Sequence, residues 1–185
     1  MSTKDIDTFS PTDNQTFIMD TNVLIELLYP IMSTTQLTTS YMKLYEAIIS
    51  KKAKLIITSI QISEFINRCI RLQFNLWKST SGNSKSDFKS DYRETDDYRT
   101  SMQAILEIVQ LDILSHATCI DDCFSEMNPE NLYKYGFSYD FNDALISEVA
   151  RINHAILITN DKDFGCSIAK IFNICNTKFE INLIS

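Results

Sequence analysis

Short, wholly apolar runs alternate along this chain with longer stretches of helical periodicity. Phe17-Ile18-Met19 reads as a buried strand, as do Lys54–Thr58 ("KLIIT") and Ala155–Thr159 ("AILIT"). Between them, residues 38–50 carry Tyr41, Met42, Leu44, Tyr45, Ala47, Ile48 and Ile49, and read as a helix. Residues 60–74 place Ile62, Phe65, Ile66, Cys69 and Leu72 on one helical side. Residues 140–152 repeat the pattern with Phe141, Leu145, Val149 and Ile152 in register. "TCI" at 118–120 is a short strand candidate, and "IFNIC" and "KFEINLI" near the end are candidate edge strands. Wholly apolar strands separated by helices predict a parallel sheet covered on both faces, an α/β/α sandwich in three layers with a mainly parallel centre.

Two segments fall outside this rhythm. Residues 1–15 are polar and read as a flexible arm; they lack the apolar stretch of a signal peptide. Residues 78–101 contain no aliphatic residue and read as an insertion in a domain running from 16 to 185, exposed at first and turning helical near Asp91. There Lys78, Lys85, Lys89, Arg93 and Arg99 interleave with Phe88, Tyr92 and Tyr98, a pattern able to stack on unpaired bases. Five acids share the stretch, so a solvated face is the competing reading.

The chain has 185 residues, 44% of them apolar, with three Gly and three Pro, as in an ordinary globular protein. Its longest apolar runs fall far short of a membrane span. Five cysteines, with no C-x-x-C pair, point to reduced thiols and a cytoplasmic protein. Cys119 and Cys123 could share a helix face, but with only His116 and His154 as histidines the chain is poorly supplied for zinc. A net charge of −7 argues against a protein that grips nucleic acid over its whole surface. It leaves room for an acidic metal site, which itself contributes negative charge.

In parallel sheets the working groups lie beyond the carboxyl ends of the strands. Asp20 ends the first strand, and Asp161 comes two residues after the strand 155–159. Glu64 lies in the first turns of the helix after the strand 54–58, and Asp143 opens the helix leading into 155–159. Each acid has a purely structural reading. Asp20 can cap a helix, Glu64 can complement a helix dipole, Asp143 can complete a capping box with Asp140, and Asp161 can form an Asx turn. Capping does not explain four acids at one sheet edge. Converging carboxylates repel one another unless a cation is present, and Mg²⁺ or Mn²⁺ favours such oxygen ligands. A site of this kind can activate water against a phosphodiester.

Four motifs together resemble the PIN-domain ribonucleases: "FIMDTNVLI", "TSIQISEF", "DALISEVA" and "LITNDKDF". The resemblance implies a metal-dependent endoribonuclease whose catalytic and metal-binding acids are Asp20, Glu64, Asp143 and Asp161. The interval of 18 residues from Asp143 to Asp161 and that of 44 from Asp20 to Glu64 suit the family. The 79 residues from Glu64 to Asp143 exceed the compact members, and the surplus falls in 78–101. The match assigns Asn22 a supporting role, holding the first carboxylate or its turn. Thr159 and Asn160 can reach Asp161 or a water at the site, or simply form the turn. Asp163 rivals Asp161 as the fourth acid, and spacing favours Asp161.

RNA is the substrate the resemblance implies. Arg68 and Arg71 follow Glu64 on the same helical face, roughly 6 and 10 Å along the axis, where they could lead phosphates inward. Pairing with neighbouring acids is the alternative. Many small members of the family are toxins restrained by an antitoxin and paired as homodimers, so both partners are open expectations. Two other functions compete. One is a non-catalytic PIN-fold module that binds RNA or protein. The other is a phosphatase of haloacid-dehalogenase type with an Asp nucleophile. That type wants a second Asp two residues after the first and Thr or Val two later, where this chain has Asn22 and Leu24.

Overall fold

A computed structural model describes residues 4–6, 9–29, 31, 36–80, 82, 84–130, 141–160 and 170–173. Among the described residues six strands form one sheet: β1 (Lys4–Asp5), β2 (Thr16–Met19), β3 (Lys54–Thr58), β4 (Thr118–Ile120), β5 (Ala155–Thr159) and β6 (Lys170–Asn173). Their order is β1-β6-β5-β2-β3-β4. The four strands β5, β2, β3 and β4 are parallel, with Ile18 opposite both Ile56 and Leu157. At one margin β6 runs antiparallel to β5, and β1 antiparallel to β6.

Side-chain alternation along the strands separates two cores. Phe17, Met19, Leu55, Ile57, Ile156 and Ile158 face the larger one, with α1 (Thr21–Leu28), α2 (Gln36–Ser50), α3 (Ser59–Thr80) and α4 (Asp96–Ile108). Ile18, Ile56, Ala155 and Leu157 face the smaller one, closed by Ala144, Leu145, Ile146, Val149 and Ala150 of α5 (Phe141–Ile152). The three-layer α/β sandwich expected from the apolar runs is thus present. Among the described residues no helix is long and apolar enough to cross a membrane. Cys69, Cys119 and Cys123 are free thiols.

Several local expectations change. Residues 1–15 are not wholly a loose arm. Lys4–Asp5 pair with the edge strand, Ile6 is buried in the larger core, and Phe9 packs edge-on against Phe17 at 6.0 Å. α3 extends to Thr80 and buries Gln61, Phe65, Cys69, Ile70 and Phe74, leaving Leu72 exposed. On α5, Leu145 and Val149 are buried but Phe141 is exposed. The candidate strand "KFEINLI" lies outside the described residues.

The largest difference lies in 78–101. Phe88 and Tyr92 are buried against Phe74 and Trp77 of α3, and Tyr98 packs edge-on against Phe88 and Tyr92. Tyr92 sits at the centre, 5.2 Å from Phe74 and 5.1 Å from Trp77 between ring centroids. The lack of aliphatic residues suggested exposure, but aromatic rings bury as much surface as any aliphatic side chain. These rings extend the larger core, and the buried Phe88 and Tyr92 are unavailable for stacking on bases.

Candidate functional site

The peptide between Met19 and Asp20 is held from both sides. Its carbonyl accepts a hydrogen bond from Gln61 Nε2 at 2.6 Å, and its N–H donates to the Ile158 carbonyl at 2.9 Å. The carboxylate of Asp20 therefore springs from a backbone fixed by β5 on one side and by the start of α3 on the other. Asp20 is also the N-cap of α1, where the helix dipole favours negative charge. It is 4% exposed. Thr159, fully buried at the end of β5, donates its hydroxyl to Asp20 Oδ2 at 2.7 Å. Asn22 makes longer contacts, from its backbone N–H to Oδ1 at 3.4 Å and from its amide to Oδ2 at 3.5 Å.

Glu64 approaches from α3. The Thr21 hydroxyl donates to Glu64 Oε2 at 3.1 Å, so the residue after Asp20 bridges the two acids. Arg68, one turn on, reaches Glu64 Oε1 at 3.4 Å. The Arg71 guanidinium lies over the Phe88 ring, 3.8 Å from its centroid. Asp143 is half-buried in the first turn of α5, and its carbonyl accepts from the Ser147 hydroxyl at 2.8 Å. Asn160 is half-buried just past β5. Asp161 and Asp163 lie outside the described residues.

The structure thus links Asp20, Thr159, Asn22, Thr21 and Glu64 in one bonded group. Among the described residues, no three His, Cys, Asp or Glu side chains come together as a metal-holding group. In kind, the donors suit a hard divalent cation: carboxylates and hydroxyls, with one carboxylate rigidly held. In number, the described residues supply only part of a ligand set.

Sequence reading missed Thr21 and Gln61. Gln61 is 3% exposed and does two things. Its amide oxygen accepts from the Thr58 N–H at 3.1 Å and the Thr58 hydroxyl at 3.2 Å. Its NH₂ group holds the Met19 carbonyl. The signal was present, since Thr58-x-x-Gln61 matches a capping box at the start of α3. The bond across to β2 had no local signature. We expect Gln61→Ala to destabilise the protein by about 2–3 kcal/mol, since it strands buried polar groups on two strands. Urea melts of wild type and variant check this.

The PIN domain family profile matches residues 17–165. The chain belongs to the PIN-domain family. No curated protein matches the chain. The family's fold is a nuclease-type fold, and PIN domains are generally nucleases that act on nucleic acid and typically use divalent metals. The matched span opens at β2 and closes just after Asp163, taking in all four acids and the aromatic-cored insertion.

Proposed function

We propose that this PIN-domain protein is a cytoplasmic endoribonuclease that hydrolyses RNA phosphodiesters with Mg²⁺ or Mn²⁺ held by Asp20, Glu64, Asp143 and Asp161. The observation that carries the reading is the setting of Asp20. A buried carboxylate at the carboxyl end of a central parallel strand, tied to the next strand by Thr159 and linked through Thr21 to Glu64, is what a rigid cation ligand requires. A divalent cation supplies Lewis acidity there, activating water and offsetting charge on the phosphodiester. The chain's own groups do the rest. Thr159 and Asn22 orient the Asp20 carboxylate, and Thr21 orients that of Glu64. Arg68 balances Glu64 and lies close enough to turn toward a phosphate. Asn160 and Asp163 are assigned supporting roles, and Arg71 a place on the path of the strand. An antitoxin protein and a homodimer are further partners in this reading.

The test is cleavage of single-stranded RNA with Mn²⁺, with Mg²⁺, with Zn²⁺ and with excess chelator. Cleavage should need Mn²⁺ or Mg²⁺ and stop with chelator. Retained cleavage in chelator would demand a metal-free mechanism. RNA binding without cleavage under all conditions would leave a binding module. Asp161→Asn should be inactive and Asp163→Asn active, and the reverse would exchange their roles.

A further inference from the structure

With Phe88 and Tyr92 buried and Tyr98 packed edge-on against both, a different aromatic pair lies open at the edge that carries Asp20. Phe124 and Phe141 are 53% and 51% exposed, and their rings meet edge-on, centroids 6.2 Å apart. Topology puts both at that edge. β4 is parallel to β3, so its last residue, Ile120, lies at the carboxyl edge, and Phe124 follows four residues later. α5 leads through a short turn into the amino end of β5. Its twelve residues span about 18 Å, the length of the strand it packs on, so its first residue, Phe141, returns to the carboxyl edge. Asp143 lies two residues further in the same turn.

Phe124 is held out by its own loop. Cys123 adopts a left-handed backbone conformation with φ 57°, and the Asp122 carboxylate accepts from the Phe124 N–H at 3.1 Å. Met127 and Cys123 pack into the smaller core, anchoring the loop on both sides of the exposed ring. Isolated exposed apolar residues are common. Two large rings presented together from separate elements beside one candidate site are a different case.

We propose that Phe124 and Phe141 form a stacking platform for an unpaired base of the RNA strand entering the site, so that the enzyme selects single-stranded RNA. This rests on the nuclease reading above. The net charge of −7 favours it, because a chain of that charge has little to gain from general attraction to phosphates. Stacking on a ring is indifferent to charge and accepts any base, but needs a base free of its duplex.

The experiment measures binding of a fluorescein-labelled oligouridylate of about ten nucleotides, within the usual site size for single-strand binding. A blunt RNA duplex serves as the comparison. The background is Asp20→Asn, so that the RNA stays intact. Adding Phe124→Ala with Phe141→Ala should weaken single-strand binding roughly tenfold and equally at low and high salt. Duplex binding should not change, and Phe141→Trp should restore affinity. In active protein the double substitution should raise KM more than it lowers kcat. Equal losses on single strand and duplex would overturn the platform, as would unchanged binding. So would unchanged binding with a shift in oligomeric state, which would make the pair a contact between copies of the chain. The two readings fail separately. Phe-dependent single-strand binding by a wild-type protein that cleaves nothing with Mn²⁺ would remove the nuclease and keep the platform. Cleavage with Phe-independent binding would do the reverse.

Discussion

Asp20→Asn should abolish RNA cleavage, by at least about a hundredfold, the scale on which removing a group that meets developing charge acts. The fold should survive intact. Asparagine keeps the side-chain oxygen that caps α1, and asparagine and aspartate are equivalent N-caps. The amide NH₂ that replaces the second oxygen can donate to the Thr159 hydroxyl, which lies 2.7 Å from the carboxylate, so that contact is kept with its direction reversed. The substitution removes the charge and exchanges one acceptor for a donor. In metal-free protein that charge is buried, with the Glu64 carboxylate one threonine away, so its loss relieves repulsion. The melting temperature without metal should therefore stay within a few degrees of wild type or rise, as often happens when a strained functional site is neutralised. Thermal melts without metal, set beside cleavage rates with Mn²⁺, separate the two effects. Wild-type cleavage by Asp20→Asn would sink the four-carboxylate mechanism. A lost fold would mean that Asp20 serves structure first.

The central strands were legible because β2, β3 and β5 are covered on both faces. Such strands read as unbroken apolar runs, whatever their neighbours. Their order was not readable, but their being parallel followed from the helices between them. Asp20 was visible as a charge where an apolar run stops. Thr159 was read toward Asp161 or a water, and its bond to Asp20, 139 residues away, had no local signature. What escaped was held by contacts distant in sequence. Lys4–Asp5 find their place only by pairing beside Ile171 and Lys170, and nothing within residues 1–15 announces that. Gln61 showed its capping half locally and its clamp on Met19 not at all, because the second bond spans 42 residues. In 140–152 periodicity alone assigned Phe141 to the buried face with Leu145 and Val149. A helix's first turn overhangs the sheet edge, so a residue in register there is free of the core.

Tyr92→Ala should be among the most destabilising single substitutions in the protein. Tyr92 is fully buried, ringed by Phe74, Trp77, Phe88 and Tyr98, and donates its hydroxyl to Asp97 Oδ2 at 2.6 Å. Truncating an aromatic residue in such a setting costs about 3–5 kcal/mol, against a total stability of roughly 5–15 kcal/mol. For a chain of this size the melting temperature should fall by about 10 °C. Tyr92→Phe isolates the hydroxyl. Burial first, and the bond to Asp97 second, raise the phenol's pKa. A folded pKa above the unfolded value means this stabilisation is fully present below about pH 10 and is lost as pH rises. Tyr92→Phe should therefore soften the alkaline decline, while Tyr45, pushed up to about 12 by burial and then by Asp112, keeps its own share. The functional consequence distinguishes two uses of residues 78–101. Phe74, which Tyr92 packs on, lies ten residues beyond Glu64 on α3, about 15 Å along the axis. If the aromatic cluster is a buttress for that helix, Tyr92→Ala should leave KM for RNA within about threefold well below the new transition, because loss of distant packing lowers stability without entering binding. If the insertion instead carries RNA, KM should rise severalfold under conditions where the variant is still fully folded. Circular dichroism melts, with cleavage kinetics taken about 20 °C below each midpoint, decide between them.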